Sequence, residues 1–130
     1  MIVVDACAVV ELLLNTAAAD RVAELVLGGS QTPAAPQLLD IEVLQALRRY
    51  ARTGELPAER ALQAVEDLAD LPIARFPHEP LLERIWALRD NLTAYDATYV
   101  ALAEALEATL ITRDKRLASA PGHQASIEVV

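Results

Sequence analysis

Asp5, Glu42, Asp96 and Asp114 are the residues whose type and placement can do chemistry. Asp5 closes the apolar opening Ile2-Val3-Val4, and Asp114 follows the apolar run Leu110-Ile111-Thr112. Glu42 sits at the edge of a helical apolar stripe, and Asp96 in the first turn of another helix. Each has an ordinary alternative. Asp5 and Asp114 can cap helices beginning at Ala6 and Lys115. Thr93 and Asp96 have the spacing of a capping box, and Glu42 can be a boundary charge. As a set, four acids from distant parts of the chain, at strand ends and helix starts, point to one site. Two bare carboxylates ~4 Å apart repel by about 4 kcal/mol at an effective dielectric of 20, so such a cluster needs protons or cations. Oxygen ligands without His or Cys favour Mg²⁺ or Mn²⁺ over zinc. Sites of that kind position a water and stabilise charge during phosphodiester cleavage.

The elements that must hold these acids alternate short apolar runs with helical patterns. Ile2 to Val4 is β-branched and apolar, as a buried parallel strand is. Helices are predicted over Ala6 to Leu14 and Ala17 to Leu27, stopped by Asn15-Thr16 and by Gly28-Gly29. Ser30 to Pro36 reads as a polar, proline-containing connection. The clearest helix runs from Gln37 to Arg52, with Leu39, Val43, Ala46, Leu47 and Tyr50 on one face. Pro57 opens the next, which extends to about Asp70. Pro72 to Phe76 is a strand, Glu79 to Arg89 and Thr93 to Ala108 are helices, and Thr109 to Thr112 is a strand. A short helix from Asp114 to Ala120 and a strand from Ser126 to Val130 complete the chain. Strands separated by helices, too far apart for hairpins, predict an α/β fold with a parallel sheet. In such sheets ligands bind at the carboxyl ends of the strands, where Asp5 and Asp114 fall.

At 130 residues the chain reads as one domain, 1–130. It is 54% hydrophobic but only 4% aromatic, so its core must be built from Ala, Leu and Val, which favours close helix packing. The net charge of -8 is no footprint of a nucleic-acid binder unless bound cations neutralise some of the acids. A single cysteine, Cys7, excludes an internal disulfide framework and a cysteine-rich zinc site, and suits a reducing cytoplasm. No signal peptide or membrane span is evident, which predicts a cytoplasmic protein with no membrane partner.

The segments VVDACAVVELLL, LLDIEVLQALRR, LTAYDATYVALAEAL and TLITRDKRL resemble, in order, the PIN-domain ribonucleases, most closely the VapC-type toxins of toxin–antitoxin pairs. The resemblance covers nearly the whole chain. It implies a three-layer α/β/α sandwich around a mainly parallel sheet, and an endoribonuclease that uses Mg²⁺ or Mn²⁺. It assigns Asp5, Asp96 and Asp114 as metal ligands and Glu42 as a ligand acting directly or through water. It also implies an RNA substrate, a homodimer, and a small antitoxin whose segment lies in a groove between the amino-terminal helices. Val9, Val10, Leu13, Leu14, Val22 and Leu25 either line that groove or form the core.

Cys7 departs from the family, which usually has Ser or Thr there; it is expected to be a small buried hydrophobe. Thr112 keeps a hydroxyl beside Asp114 that can support the site. Arg113, Lys115 and Arg116 bracket Asp114 and can contact RNA phosphates; a solvated helix start is the alternative. Arg48, Arg49 and Arg52 form a basic helix end, and Arg89 and Asn91 precede the Tyr95-Asp96 segment. Tyr95 and Trp86 are expected in the core. His78 and His123 have no partner spacing. The competing function is a catalytically weak PIN-like module that binds an antitoxin or RNA. A phosphatase is disfavoured, because Asp5-Ala6-Cys7 lacks a second Asp and Cys7 has no phosphate-cradling loop.

Overall fold

A computed structural model describes residues 1–130. The strands are β1 (Ile2–Val4), β2 (Pro33–Pro36), β3 (Ala74–Phe76), β4 (Thr109–Thr112) and β5 (Ser126–Val129). They form one sheet in the order β3-β2-β1-β4-β5, and every neighbouring pair is parallel. The helices are α1 (Ala6–Leu13), α2 (Ala19–Val26), α3 (Leu38–Arg52), α4 (Ala58–Asp70), α5 (Leu82–Ala87), α6 (Ala94–Leu106) and α7 (Lys115–Ser119). From β1 to β3 the chain steps across the sheet in one direction; from β3 it jumps back over β1 to β4. Right-handed crossovers therefore put α1 to α4 on one face and α5 to α7 on the other. The contacts agree: α1, α3 and α4 pack on one another, while α6 pairs with α5 and lies across β1, β2 and β4. The fold is the expected α/β/α sandwich.

The order reverses between β1 and β4, and their carboxyl ends flank that switch point. The core is aliphatic. Val3, Val4, Leu110 and Ile111 are fully buried, and α6 buries every residue from Ala97 to Ala103. Small side chains such as Ala97 and Ala101 on α6, and Ala34 and Ala35 on β2, suit this close packing.

Three expectations need correction. Residues 33–36 are a buried inner strand, not a connection. Its prolines stand at its first and last positions, so the missing N–H groups fall at the ends of the ladder. Trp86 is 68% exposed rather than core. A 3₁₀ turn at Glu79–Leu81 advances the chain more per residue than an α-helix does, and the buried face becomes Leu81 and Leu88. Tyr95 is 62% exposed, because it lies in the first turn of α6, ahead of that helix's buried stretch. The groove-or-core alternative resolves largely to core: Val9, Val10, Leu13 and Val22 are buried, and Leu14 and Leu25 pack against them half-buried. No helix is long and apolar enough to cross a membrane.

Candidate active site

The geometry begins with strand register. Val4 pairs with Ile111, so the next residues, Asp5 and Thr112, meet at the carboxyl edge of the sheet. The Asp5 N–H extends the ladder by donating to the Ile111 carbonyl at 3.1 Å. The Thr112 hydroxyl donates to Asp5 Oδ2 and accepts from the Asp114 N–H at 3.0 Å. One hydroxyl thus ties together the two strand-end acids.

Asp5 also caps α1: the Ala8 N–H donates to its Oδ1 at 3.0 Å. Cys7 Sγ donates to the same oxygen, also at 3.0 Å. The expectation for Cys7 as a buried hydrophobe fails: the residue as a whole is exposed, while its thiol is partly covered and donates to Asp5. Withdrawal of the thiol from water, reinforced by the Asp5 charge, pushes it up to about 12. Burial raises the Asp5 carboxyl above its ordinary value; hydrogen bonds from Cys7, Thr112 and Ala8 oppose this, and Asp96 adds to it. Burial wins.

Glu42 projects from the second turn of α3 and accepts a hydrogen bond from the Tyr99 hydroxyl at 2.7 Å. Its carboxyl is raised by burial first and by Asp96 and Asp5 last; the Tyr99 bond opposes them. Tyr99 is itself pushed up, by burial and then by Glu42, and so remains a donor. Asp96 is raised by burial and by Asp114, against the Thr93 bond and the Arg116 charge. Its N–H donates to Thr93 Oγ1 at 3.1 Å, so half of the expected capping box forms. Asp114 alone is lowered, first by its side-chain bond to Arg116, whose Nε lies 3.3 Å away, and then by the backbone bond through which it caps α7.

All four acids line one cavity of about 540 Å³. A smaller one of about 260 Å³ shares Asp96 and Asp114 and adds Asn91 and Arg116. The acids ring the larger cavity; no three of the Asp, Glu, His and Cys side chains are gathered tightly enough to hold an ion as they stand. Their donor chemistry nevertheless fits a hard divalent cation. The groups are all carboxylates, and Asp5, Glu42 and Asp96 have no basic side chain paired with them. Their mutual repulsion is the charge such a cation would neutralise.

The basic residues separate. Arg113 is engaged, its Nη1 donating to the Val130 carbonyl at 2.6 Å and its Nε 3.6 Å from Glu11. Arg116 is held by Asp114, and Lys115 is exposed without an ion pair. Arg49 lines the larger cavity and has no acidic partner. Neither His78 nor His123 lines either cavity. Sequence reasoning missed the hydroxyl of Tyr99 and the exposure of Tyr95. The first had a signal: a buried tyrosine one helical turn beyond Asp96 needs a hydrogen-bond partner. The second had none, because Tyr95 keeps the spacing of the apolar stripe.

The PIN domain matches residues 2–122. Ribonuclease VapC1 of Mycobacterium tuberculosis is 47% identical over 129 residues, covering 98% of this chain and 96% of that protein. Ribonuclease VapC9 of the same organism is 42% identical over 130 residues, covering 100% and 98%. Among solved structures, a toxin–antitoxin complex from Klebsiella pneumoniae contains a chain that superposes with a TM-score of 0.68 at 21% identity, covering 99% of this chain and 97% of that one.

Proposed function

Because this chain belongs to the PIN-domain family, we propose that it is a divalent-metal-dependent endoribonuclease and the toxin of a toxin–antitoxin pair. The carrying observation is the uncompensated carboxylate set. Asp5, Glu42 and Asp96 share a cavity with Asp114 at the sheet's switch point, and none of the first three forms an ion pair, although Arg116 lowers Asp96 from a distance. Full-length likeness to proteins named ribonucleases supports the reaction class. Asp5, Asp96 and Asp114 would hold Mg²⁺ or Mn²⁺, with Glu42 direct or through water. When bound, the ion supplies a lowered water pKa and stabilises negative charge on the phosphate.

The remaining residues position and bind. Thr112 and Cys7 orient Asp5, and Tyr99 orients Glu42, in the way outer-shell donors tune ligating carboxylates. Lys115 is a cation free to meet an RNA phosphate; Arg113 and Arg116 must first leave Glu11 and Asp114. The net reaction is hydrolysis: water adds to phosphorus and one P–O bond of the RNA breaks. The partners follow the same reading: an antitoxin, as in the Klebsiella complex, and a second copy of this chain.

The test incubates purified, antitoxin-free protein with total RNA, with Mg²⁺ or Mn²⁺ and with chelator, beside Asp5→Asn and Asp96→Asn. Discrete cleavage in the presence of metal, absent in chelator and in both variants, is expected. Cleavage that survives chelator or both substitutions sinks the metal-site mechanism. Absence of any cleavage, despite measured metal binding, favours the binding module.

A further inference from the structure

The larger cavity is more than a carboxylate floor. One wall comes from α3, with Ile41, Gln45 and Arg49, and another from Tyr95 at the start of α6. Tyr95 lines the same cavity as the four acids. At 62% exposure it keeps an aromatic face open to solvent. Ile41 is similarly uncovered at 65%. Gln45 can both donate and accept hydrogen bonds, and Arg49 donates only. A volume of about 540 Å³ falls within the range that takes small organic ligands, roughly 300–1,000 Å³. A site for an ion alone requires neither this volume nor an exposed aromatic wall.

We propose that Tyr95, Gln45 and Arg49 form a subsite that takes one unstacked base of a single-stranded RNA next to the scissile phosphate. This rests on the ribonuclease reading and adds to it the residues that select the base. Tyr95 stacks on the base, which is tolerant of base identity because every base has a π-face. Gln45 and Arg49 meet the base edge, where a change of donor and acceptor pattern changes which base fits. The apolar remainder, Ile41 included, keeps water from the stacked face. Paired RNA is excluded, since its bases are not free to enter.

The test measures binding of short fluorescein-labelled single-stranded oligoribonucleotides by anisotropy, in an Asp5→Asn background so that the probe survives. Tyr95→Ala should weaken binding by about 10-fold or more, and Tyr95→Phe should restore it. An abasic nucleotide scanned along the probe should weaken binding at one position, and that loss should vanish in Tyr95→Ala, the non-additivity of two partners in contact. Gln45→Leu should alter the ranking of bases at that position. If abasic and Tyr95→Ala effects add everywhere, or if Tyr95→Ala binds every probe as before, the subsite is overturned while RNA cleavage by the wild type stands. If the wild type neither cleaves total RNA nor binds any probe, the ribonuclease reading falls and the subsite with it.

Discussion

Acids in two parts of this molecule are handled differently. Away from the cavity, five carboxylates meet guanidinium groups. Arg84 forks onto Glu104 at 3.0 and 2.9 Å, and Arg75 reaches Asp40 at 3.0 Å. At the switch point, Asp5 and Glu42 receive only neutral donors: a thiol, hydroxyls and a backbone N–H. Asp114 stands between the two regimes, with one arginine on it. An arginine pair fixes a carboxylate in its ionised form. Neutral donors hold its position while leaving the charge open to a cation, at a cost in stability when none is bound. The arginine pairs fix Asp40 and Glu104 within the fold, whereas Asp5 and Glu42 are held by neutral donors alone.

The largest expected effect breaks the comparison at its centre. Asp5→Asn should reduce RNA cleavage by at least about 100-fold, beyond the usual cost of losing an outer-shell partner. In chelator the same variant should melt higher than the wild type, since a buried charge is removed and Asn still caps α1. Arg84→Ala should do the reverse: unchanged cleavage with a stability loss of about 1 kcal/mol. The comparison is wrong if Asp5→Asn destabilises the metal-free protein as Arg84→Ala does.

Titration sharpens the same point. Burial raises the Asp5, Glu42 and Asp96 carboxyls in the folded chain, so folding retains protons that the unfolded chain releases. Stability from this source is complete below the ordinary carboxylate range near pH 4 and is lost as pH rises through the higher folded values. Asp114, lowered by Arg116, works oppositely, losing its contribution as pH falls below that range. In chelator the melting advantage of Asp5→Asn over wild type should therefore widen as pH rises above about 4. Adding Mg²⁺ or Mn²⁺ should close it by stabilising the wild type. A gap that stays constant with pH would leave burial of Asp5 without consequence.

Smaller effects probe the neutral donors. Tyr99→Phe should cost about 10- to 100-fold in cleavage. It should also move the acidic limb of the pH–rate profile to higher pH, because the Tyr99 bond holds the Glu42 carboxyl down. A mere packing defect would lower the rate without moving that limb. Cys7→Ser should change cleavage least, within a few-fold, since a hydroxyl can make the same bond to Asp5. Despite its exposure, Cys7 should alkylate slowly at neutral pH, because its thiol stays protonated. Rapid modification would show that the thiol is not held on Asp5.

Much of the fold was legible because its signals are local. Asp5, Thr93 and Asp114 cap helices as their spacing predicts. Gly28-Gly29 follow the end of α2, as the predicted stop requires. What escaped notice was non-local. Residues 33–36 carry no strand signal of their own, and pairing with both β1 and β3 makes them one. Trp86 and Tyr95 have helical spacing that reads as core, but spacing cannot say where a neighbouring element stops covering a face.

By itself, the sequence determined the types and order of the elements other than the strand at 33–36, and the identity of the four acids, because caps, breaks and apolar periodicity act within a few residues. Tertiary structure decided which charges are compensated. The β1–β4 register brings Thr112 onto Asp5, and the packing of α6 brings Tyr99 to Glu42. Both contacts span more than fifty residues of chain. A carboxylate's electrostatic character depends on what surrounds it in space, so only the folded arrangement separates the open acids from the paired ones.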